Sequence, residues 1–221
     1  LTMTGLVGVD VGATASNVTM NSKDVGVANR ISSLTLSTGD EANYVLNASA
    51  YTPAGTNTTN TVTLSQKALS LTGATVATSK VYDGTTSASV TGTPALLASE
   101  AVGTGSSADG VPYTSDAVTL SVSTLAANYN AATVASANTI TLSGLTLSSS
   151  NYKLQTYSGT ITKAPLGISA SAVYANSTTV TPTSATLYGL VPIDAAATVS
   201  SMVINNASVA GANYITSLTL S

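Results

Sequence analysis

Apolar residues alternate with serine or threonine along most of the chain, with a period of two residues. The clearest stretches are NTVTLS at 60–65, AVTLSVSTL at 117–125, NTITLSGLTLS at 138–148 and ITSLTLS at 215–221. This period and the many β-branched residues predict half-buried strands, and the Asn, Gly, Asp and Pro clusters between the stretches predict turns. The one candidate helix is TPALLASEAVG at 93–103. The pattern therefore predicts an all-β protein.

The chain also repeats itself. Residues 1–37 align without a gap with residues 185–221, and about half of the aligned positions are identical. The offset of this alignment is 184 residues, and Tyr82 and Tyr174, which stand in similar heptapeptides, are separated by half of it, 92 residues. An all-β unit of this length with short strands is typical of a small immunoglobulin-like sandwich.

These spacings predict tandem immunoglobulin-like β-sandwich repeats of about 92 residues, arranged as a rod or filament. Residues 1–69 form a partial repeat without its opening strands, 70–166 a complete repeat, and 167–221 a partial repeat without its closing strands. Incomplete sandwiches expose unpaired strand edges, which are unfavourable unless another segment covers them. We therefore expect neighbouring repeats of the same chain, or other copies of it, as partners.

Composition narrows the classes of partner and compartment. Only 7% of the 221 residues are charged, the net charge is −3, and serine and threonine make up about a third of the chain. This charge is too small to attract nucleic acid or an anionic membrane, and no apolar run is long enough to span a bilayer or basic enough at its start for a signal peptide. Cysteine is absent, so no disulfide or thiolate is expected. We expect a secreted protein of the bacterial surface.

The heptapeptide KVYDGTT places a tyrosine, a carboxylate and a glycine side by side at Tyr82, Asp83 and Gly84. At the related position of the third repeat, AVYANST keeps the tyrosine as Tyr174, loses the carboxylate and replaces the glycine by Asn176. Glycine and asparagine are the residues that best tolerate a positive φ, so backbone geometry is kept while chemistry is not. We interpret these five residues as structural turns, with a recognition surface as the alternative.

The residues for catalysis or metal binding are scarce. Without histidine or cysteine the ordinary nucleophile–base pairs are absent, and the pair Asp40 and Glu41 fits a solvated turn better than a catalytic site. Asp10 and Asp194 recur in the repeat, which indicates a turn or a guard on a strand edge. We therefore expect no catalytic residue, no cofactor and no metal.

Three segments of the middle repeat resemble a known family. KVYDGTT, the strand ANTITLSGLTLSSSNYKL and the closing YSGTITKAPL look like the YDG and related MBG-type bacterial immunoglobulin-like repeats of large filamentous-haemagglutinin-type adhesins. The resemblance covers 70–166 well and the flanking repeats more weakly. It implies export across the outer membrane, often by two-partner secretion, and a role in attachment or biofilm cohesion.

Three functions follow as hypotheses. The first is a non-enzymatic stalk or fibre segment of a secreted surface adhesin. The second is a filament subunit whose incomplete repeats are finished by strands of the next copy, with 38–69 as the segment that could complement the third repeat. The third is a module that binds host or matrix carbohydrate, or a receptor, through exposed tyrosines such as Tyr113, Tyr129 and Tyr157.

Overall fold

The structure is a computed structural model that describes residues 3, 6–44, 46 and 60–221. This described part is all-β, as the alternation predicts, and its only helical elements are four single turns of 3-10 helix: Gly8–Asp10, Glu41–Asn43, Thr114–Asp116 and Pro192–Asp194. The strands are β1 (Ala15–Met20), β2 (Ile31–Leu36), β3 (Lys67–Leu69), β4 (Leu71–Val76), β5 (Ser79–Val81), β6 (Ser87–Ala88), β7 (Val90–Leu96), β8 (Leu120–Tyr129), β9 (Thr139–Leu147), β10 (Tyr152–Leu154), β11 (Tyr157–Ser158), β12 (Thr160–Thr162), β13 (Gly167–Ser171), β14 (Thr179–Val180), β15 (Ser184–Tyr188), β16 (Val199–Ile204) and β17 (Ile215–Leu220).

The strands pair in small sheets. One sheet has the order β11-β9-β8-β6 and another the order β14-β16-β17, and the remaining pairs are β1-β2, β3-β10, β4-β7, β5-β12 and β13-β15. β3-β10 and β5-β12 are parallel. The helix expected at 93–103 is wrong, because Val90–Leu96 form β7 and pair with β4, so tertiary hydrogen bonding overrides a short apolar run.

The described residues group in two compact units. The first comprises the described residues of Leu1–Gly73, Pro94–Val122 and Leu145–Gln155. Leu69 is fully buried in it and Tyr152 is 4% exposed, so the parallel pair β3-β10 supplies its most buried side chains.

The second compact unit comprises Ala74–Thr93, Ser123–Gly144 and Thr156–Ser221. Ile140 is fully buried in it, and Tyr129 is 3% exposed. Alternate residues of β9 point inwards, which is why the period of two in the sequence predicts this strand.

Three hairpins share one side-chain device. Asn130 follows β8, and its Oδ1 accepts the backbone N–H groups of Asn138 and Thr139, both at 3.0 Å. Its Nδ2 donates to the carbonyl of Ser136 at 3.1 Å. Asn21 after β1 and Asn205 after β16 bind their hairpin connections in the same way. We call this arrangement the asparagine clamp.

Replacing Asn130 by alanine is expected to destabilise the protein by about 1–2 kcal/mol, because three hydrogen bonds of the clamp are lost on a partly solvated loop. Urea unfolding measures the change. Asn130→Asp keeps both acceptor contacts and loses only the donor, so its loss should be smaller. Equal losses for the two variants would contradict this account of the clamp.

Candidate functional site

The Tyr82-Asp83-Gly84 turn connects β5 to β6. Asp83 holds it, because its Oδ1 accepts the backbone N–H and the hydroxyl of Thr85, both at 2.9 Å. Gly84 has a φ of +77°, and Asn176, its counterpart in the third repeat, has a φ of +50°. Both residues therefore adopt the left-handed backbone that glycine and asparagine tolerate best. The assignment of these residues to structural turns stays a prediction.

A lysine closes the same turn. Lys80 Nζ lies 2.7 Å from Asp83 Oδ1, donates to the carbonyl oxygen of Thr85 at 2.8 Å, and lies 5.6 Å from the centre of the Tyr129 ring. The bond from Lys80 and the two bonds from Thr85 lower the pKa of Asp83 to about 2. Asp83 is therefore an anion engaged in its own turn, which leaves little of its hydrogen-bonding capacity for a substrate.

Tyr82 and Gly84 face a second segment of the same compact unit. A hydrogen bond to Asp194 raises the pKa of the Tyr82 hydroxyl, because a phenolate beside this carboxylate would lose the bond and be repelled. A Cβ on Gly84 would come within 2.7 Å of Ile193 Cγ2. The turn therefore lies against the 3-10 turn Pro192–Asp194, and glycine is needed there for close approach as well as for its φ.

Tyr174 behaves differently from Tyr82. It is 59% exposed, and its hydroxyl donates to Asn176 Oδ1 within its own turn at 3.1 Å. The two related turns thus share a left-handed residue but differ in what the tyrosine contacts.

Aspartates that end 3-10 turns pair repeatedly with tyrosine hydroxyls. Tyr44 donates to Asp10 at 2.8 Å, and Tyr152 donates to Asp116 at 2.7 Å. Asp10 is 5% exposed, so it lies inside the fold and does not guard an exposed strand edge. The hydroxyls of Thr38 and Tyr44 lower its pKa. Sequence reasoning found Asp10 through the repeat but missed these tyrosine partners.

A second cluster was not predicted from the sequence. Lys67 of β3 has a side chain only 8% exposed, and its Nζ lies 2.9 Å from Glu100 Oε1 and 3.0 Å from Asp109 Oδ1. The ring of Tyr113 lies 4.1 Å from the same nitrogen. The two carboxylates outweigh the effect of burial and raise the pKa of Lys67. We call Lys67, Glu100 and Asp109 the lysine cluster.

The loop around Asp109 is folded onto this cluster. Asp109 Oδ1 accepts the N–H of Val111 at 2.9 Å, and Oδ2 accepts the N–H of Ser106 at 2.7 Å. These backbone bonds, followed by the bond from Lys67, lower the pKa of Asp109 to about 2. A Cβ on Gly105 would collide with the side chains of Glu100 and Asp109. The sequence marks this loop by its glycines, but no local signal connects it to a lysine so far back in the chain.

The described residues offer little for catalysis or ligand binding. Within them no group of three His, Cys, Asp or Glu side chains is arranged to hold a metal ion, and no helix in that part is both long and apolar enough to cross a membrane. The expected exposure of Tyr129 is wrong, since it is 3% exposed and donates its hydroxyl to the carbonyl of Thr160. Tyr113 and Tyr157 are half-buried. These three rings do not form an open binding surface.

Comparison with protein families identifies a YDG domain at residues 65–160. The domain begins just before β3 and contains both the Tyr82-Asp83-Gly84 turn and the lysine cluster. The resemblance inferred from the sequence is thus confirmed for this segment, and the adhesin context stays a prediction. No curated protein and no solved structure matches the chain.

The charge of the turn gives a direct test. We expect the Asp83 carboxyl to titrate near pH 2, well below its ordinary 3.8. Because its pKa is depressed, its contribution to stability is present above the ordinary value and disappears as the pH falls towards 2. NMR titration of the side-chain carboxyl measures this. Lys80→Met should raise the pKa of Asp83, whereas Lys163→Met, a lysine outside the turn, should leave it unchanged.

Proposed function

We propose that this chain is a non-enzymatic structural segment of a secreted bacterial surface adhesin, built from tandem β-sandwich repeats that form a stalk. The asparagine clamp carries the proposal, because one hairpin design recurs at Asn21, Asn130 and Asn205. The intervals are 109 and 75 residues, and their mean is the 92 residues predicted from the tyrosines. Repetition of one module is what a spacer needs, since length can be added without new chemistry.

Side-chain contacts between successive predicted repeats support the stalk. In the first compact unit, Lys23 lies 3.2 Å from Asp116 Oδ1, and Asn151 donates to Asp24 Oδ1 at 2.8 Å. Asn151 Oδ1 also accepts the N–H of Val25 at 2.7 Å. These bonds join the hairpin tip of residues 1–69 to the end of the YDG domain that carries Asp116.

The second compact unit supports the same reading at the other boundary. There the Tyr82-Asp83-Gly84 turn lies against Pro192–Asp194, which belongs to the third predicted repeat. We interpret the turn as a joint between repeats. The recognition surface left open by the sequence would then be a surface that recognises the next repeat.

Small-angle X-ray scattering of the purified chain tests the stalk. A compact chain of this length has a radius of gyration of about 17 Å. A row of repeats should give a clearly larger value and an asymmetric distance distribution that does not change with concentration. A radius near the compact value would sink the proposal.

A filament subunit is the second candidate, and one observation favours it. β9 carries β11 on its outer edge, whereas in the part of the chain that the structure describes the only strand paired with β17 is β16. In residues 1–69, Asn60 contacts both backbone groups of Ile31 at the corresponding edge of β2. A free edge of this kind can accept a strand from another copy.

The two candidates are separated by a charge placed on this edge. If copies join through β17, sedimentation should show association that rises with concentration and is abolished by Thr216→Lys. Ser32→Lys, at the aligned position of β2, is the matched control and should leave association intact. A chain that stays monomeric at every concentration contradicts the filament and leaves the stalk standing.

A further inference from the structure

The lysine cluster brings an amine and two carboxyl groups together where little solvent reaches the amine. Lys67 Nζ lies between Glu100 Oε1 at 2.9 Å and Asp109 Oδ1 at 3.0 Å. Side-chain exposure is 8% for Lys67, 17% for Glu100 and 23% for Asp109. The ring of Tyr113 covers another side of the amine. An ion pair meant only to decorate a surface does not need this burial or a third charged group.

We propose that Lys67 and Asp109 condense to an intramolecular isopeptide bond, with Glu100 as the proton carrier. Nζ lies within the distance of about 3–3.5 Å from which reacting groups can attack. Groups held in this way can react with an effective concentration of about 10⁵–10⁸ M, which favours condensation over hydrolysis in a site that excludes water.

Asp109 is the acceptor because both of its oxygens are fixed. The N–H groups of Val111 and Ser106 donate to Oδ1 and Oδ2, so they would also stabilise negative charge on the tetrahedral adduct. Glu100 is held by its backbone, whose N–H donates to the carbonyl of Pro112 at 3.0 Å and whose carbonyl accepts the N–H of Thr114 at 2.7 Å. Its carboxylate is left to contact the amine.

The step balances without any co-reactant. In the resting cluster the amine is protonated and Asp109 is ionised, so one proton must first move from Nζ to the Asp109 carboxylate, and Glu100 is placed to carry it. Nζ then attacks Asp109 Cγ, and the N–Cγ bond forms. Glu100 takes a second proton from the nitrogen and gives it to the departing hydroxyl. The C–OH bond breaks and one water leaves, so the products are an amide and water.

The bond would join β3, at the start of the YDG domain, to the loop that carries Asp109. It would close a covalent ring from residue 67 to residue 109 in a chain without cysteine. Such a ring limits how far the enclosed segment can extend when the ends of the domain are pulled. This inference concerns the chemistry of the YDG domain and does not depend on the stalk.

The chain contains its own negative control. Lys80 Nζ lies 2.7 Å from Asp83, but Asp83 is 53% exposed and the other contacts of Lys80 in this turn are to Thr85. No carboxylate corresponding to Glu100 is bonded to Lys80 among the described residues. We therefore expect the loss of one water from the chain, not two.

Intact-mass spectrometry of the purified full chain, followed by peptide mapping, tests the proposal. The expected result is a mass lower by one water and a branched peptide that joins the segments of Lys67 and Asp109. Lys67→Arg keeps the positive charge but should show the full mass. Glu100→Gln should lower the linked fraction markedly and slow its appearance, while Lys153→Arg, an exposed lysine of β10, should behave as the parent chain.

Mapping is essential because Asp109 precedes Gly110, and an aspartate before glycine can lose water by cyclising on its own backbone. A water loss that persists in Lys67→Arg would therefore overturn the proposal. So would a parent chain that keeps its full mass after prolonged incubation at neutral and at mildly acidic pH. In that case the lysine cluster is a permanent ion cluster.

Discussion

Gly144→Ala is expected to destabilise the protein by about 3–5 kcal/mol, the largest loss we expect from a single methyl group. Gly144 lies inside β9 with a φ of +75°, and a Cβ there would collide with the backbone carbonyl of Thr124. Thr124 belongs to β8, which pairs with β9 in the same sheet, so neither strand can move aside without breaking hydrogen bonds. Urea or thermal unfolding measures the loss.

Gly103 provides the matched control for this prediction. It has a similar φ of +84°, but nothing lies within 4 Å of where its Cβ would be. Gly103→Ala should therefore cost only the strain of the left-handed backbone, about 1 kcal/mol. If both substitutions cost the same, the close approach of the two strands plays no part and our explanation of Gly144 is wrong.

Ile140→Ala should cost about 3–4 kcal/mol. Ile140 is fully buried in β9, and its side chain fills the space that Gly159 leaves open beside Tyr129. Removing it leaves a cavity that the surrounding strands can close only in part. Val122→Ala, on a valine of β8 that is 45% exposed, is the control and should cost far less.

A paired substitution tests this packing further. A Cβ on Gly159 would come within 2.6 Å of Ile140 Cδ1, so Gly159→Ala alone should overpack the core. Ile140→Val removes that Cδ1, and the double variant should lose less free energy of unfolding than the sum of the single variants. Strict additivity would show that the two side chains do not share this space.

The strands could be predicted because period-two alternation directly encodes which side chains are buried. β9 shows how closely: its inward residues are Ile140 and Leu142, and the phase then shifts across Gly144 to Leu145 and Leu147, in the sequence as in the structure. The positive φ of the third-repeat turn could also be anticipated, because glycine is exchanged there for asparagine.

Other features depend on contacts that no short stretch of sequence contains. Lys67 meets Glu100 and Asp109 across gaps of 33 and 42 residues, and one lysine among alternating residues gives no sign of such partners. Tyr82 was expected to find a carbonyl, and it finds the carboxylate of Asp194. The false helix at 93–103 has the same origin, since pairing with β4 decides the conformation of β7.

The asparagine clamps make the three hairpins independent of ionisation. An amide neither gains nor loses a proton between acid and alkaline conditions, and its hydrogen bonds are not screened by dissolved ions as an exposed salt bridge is. Outside a cell, where acidity and salt are set by the surroundings, hairpins closed in this way should keep their shape in fresh water, brine or acid alike. A chain with so few charges has little else that such changes could disturb.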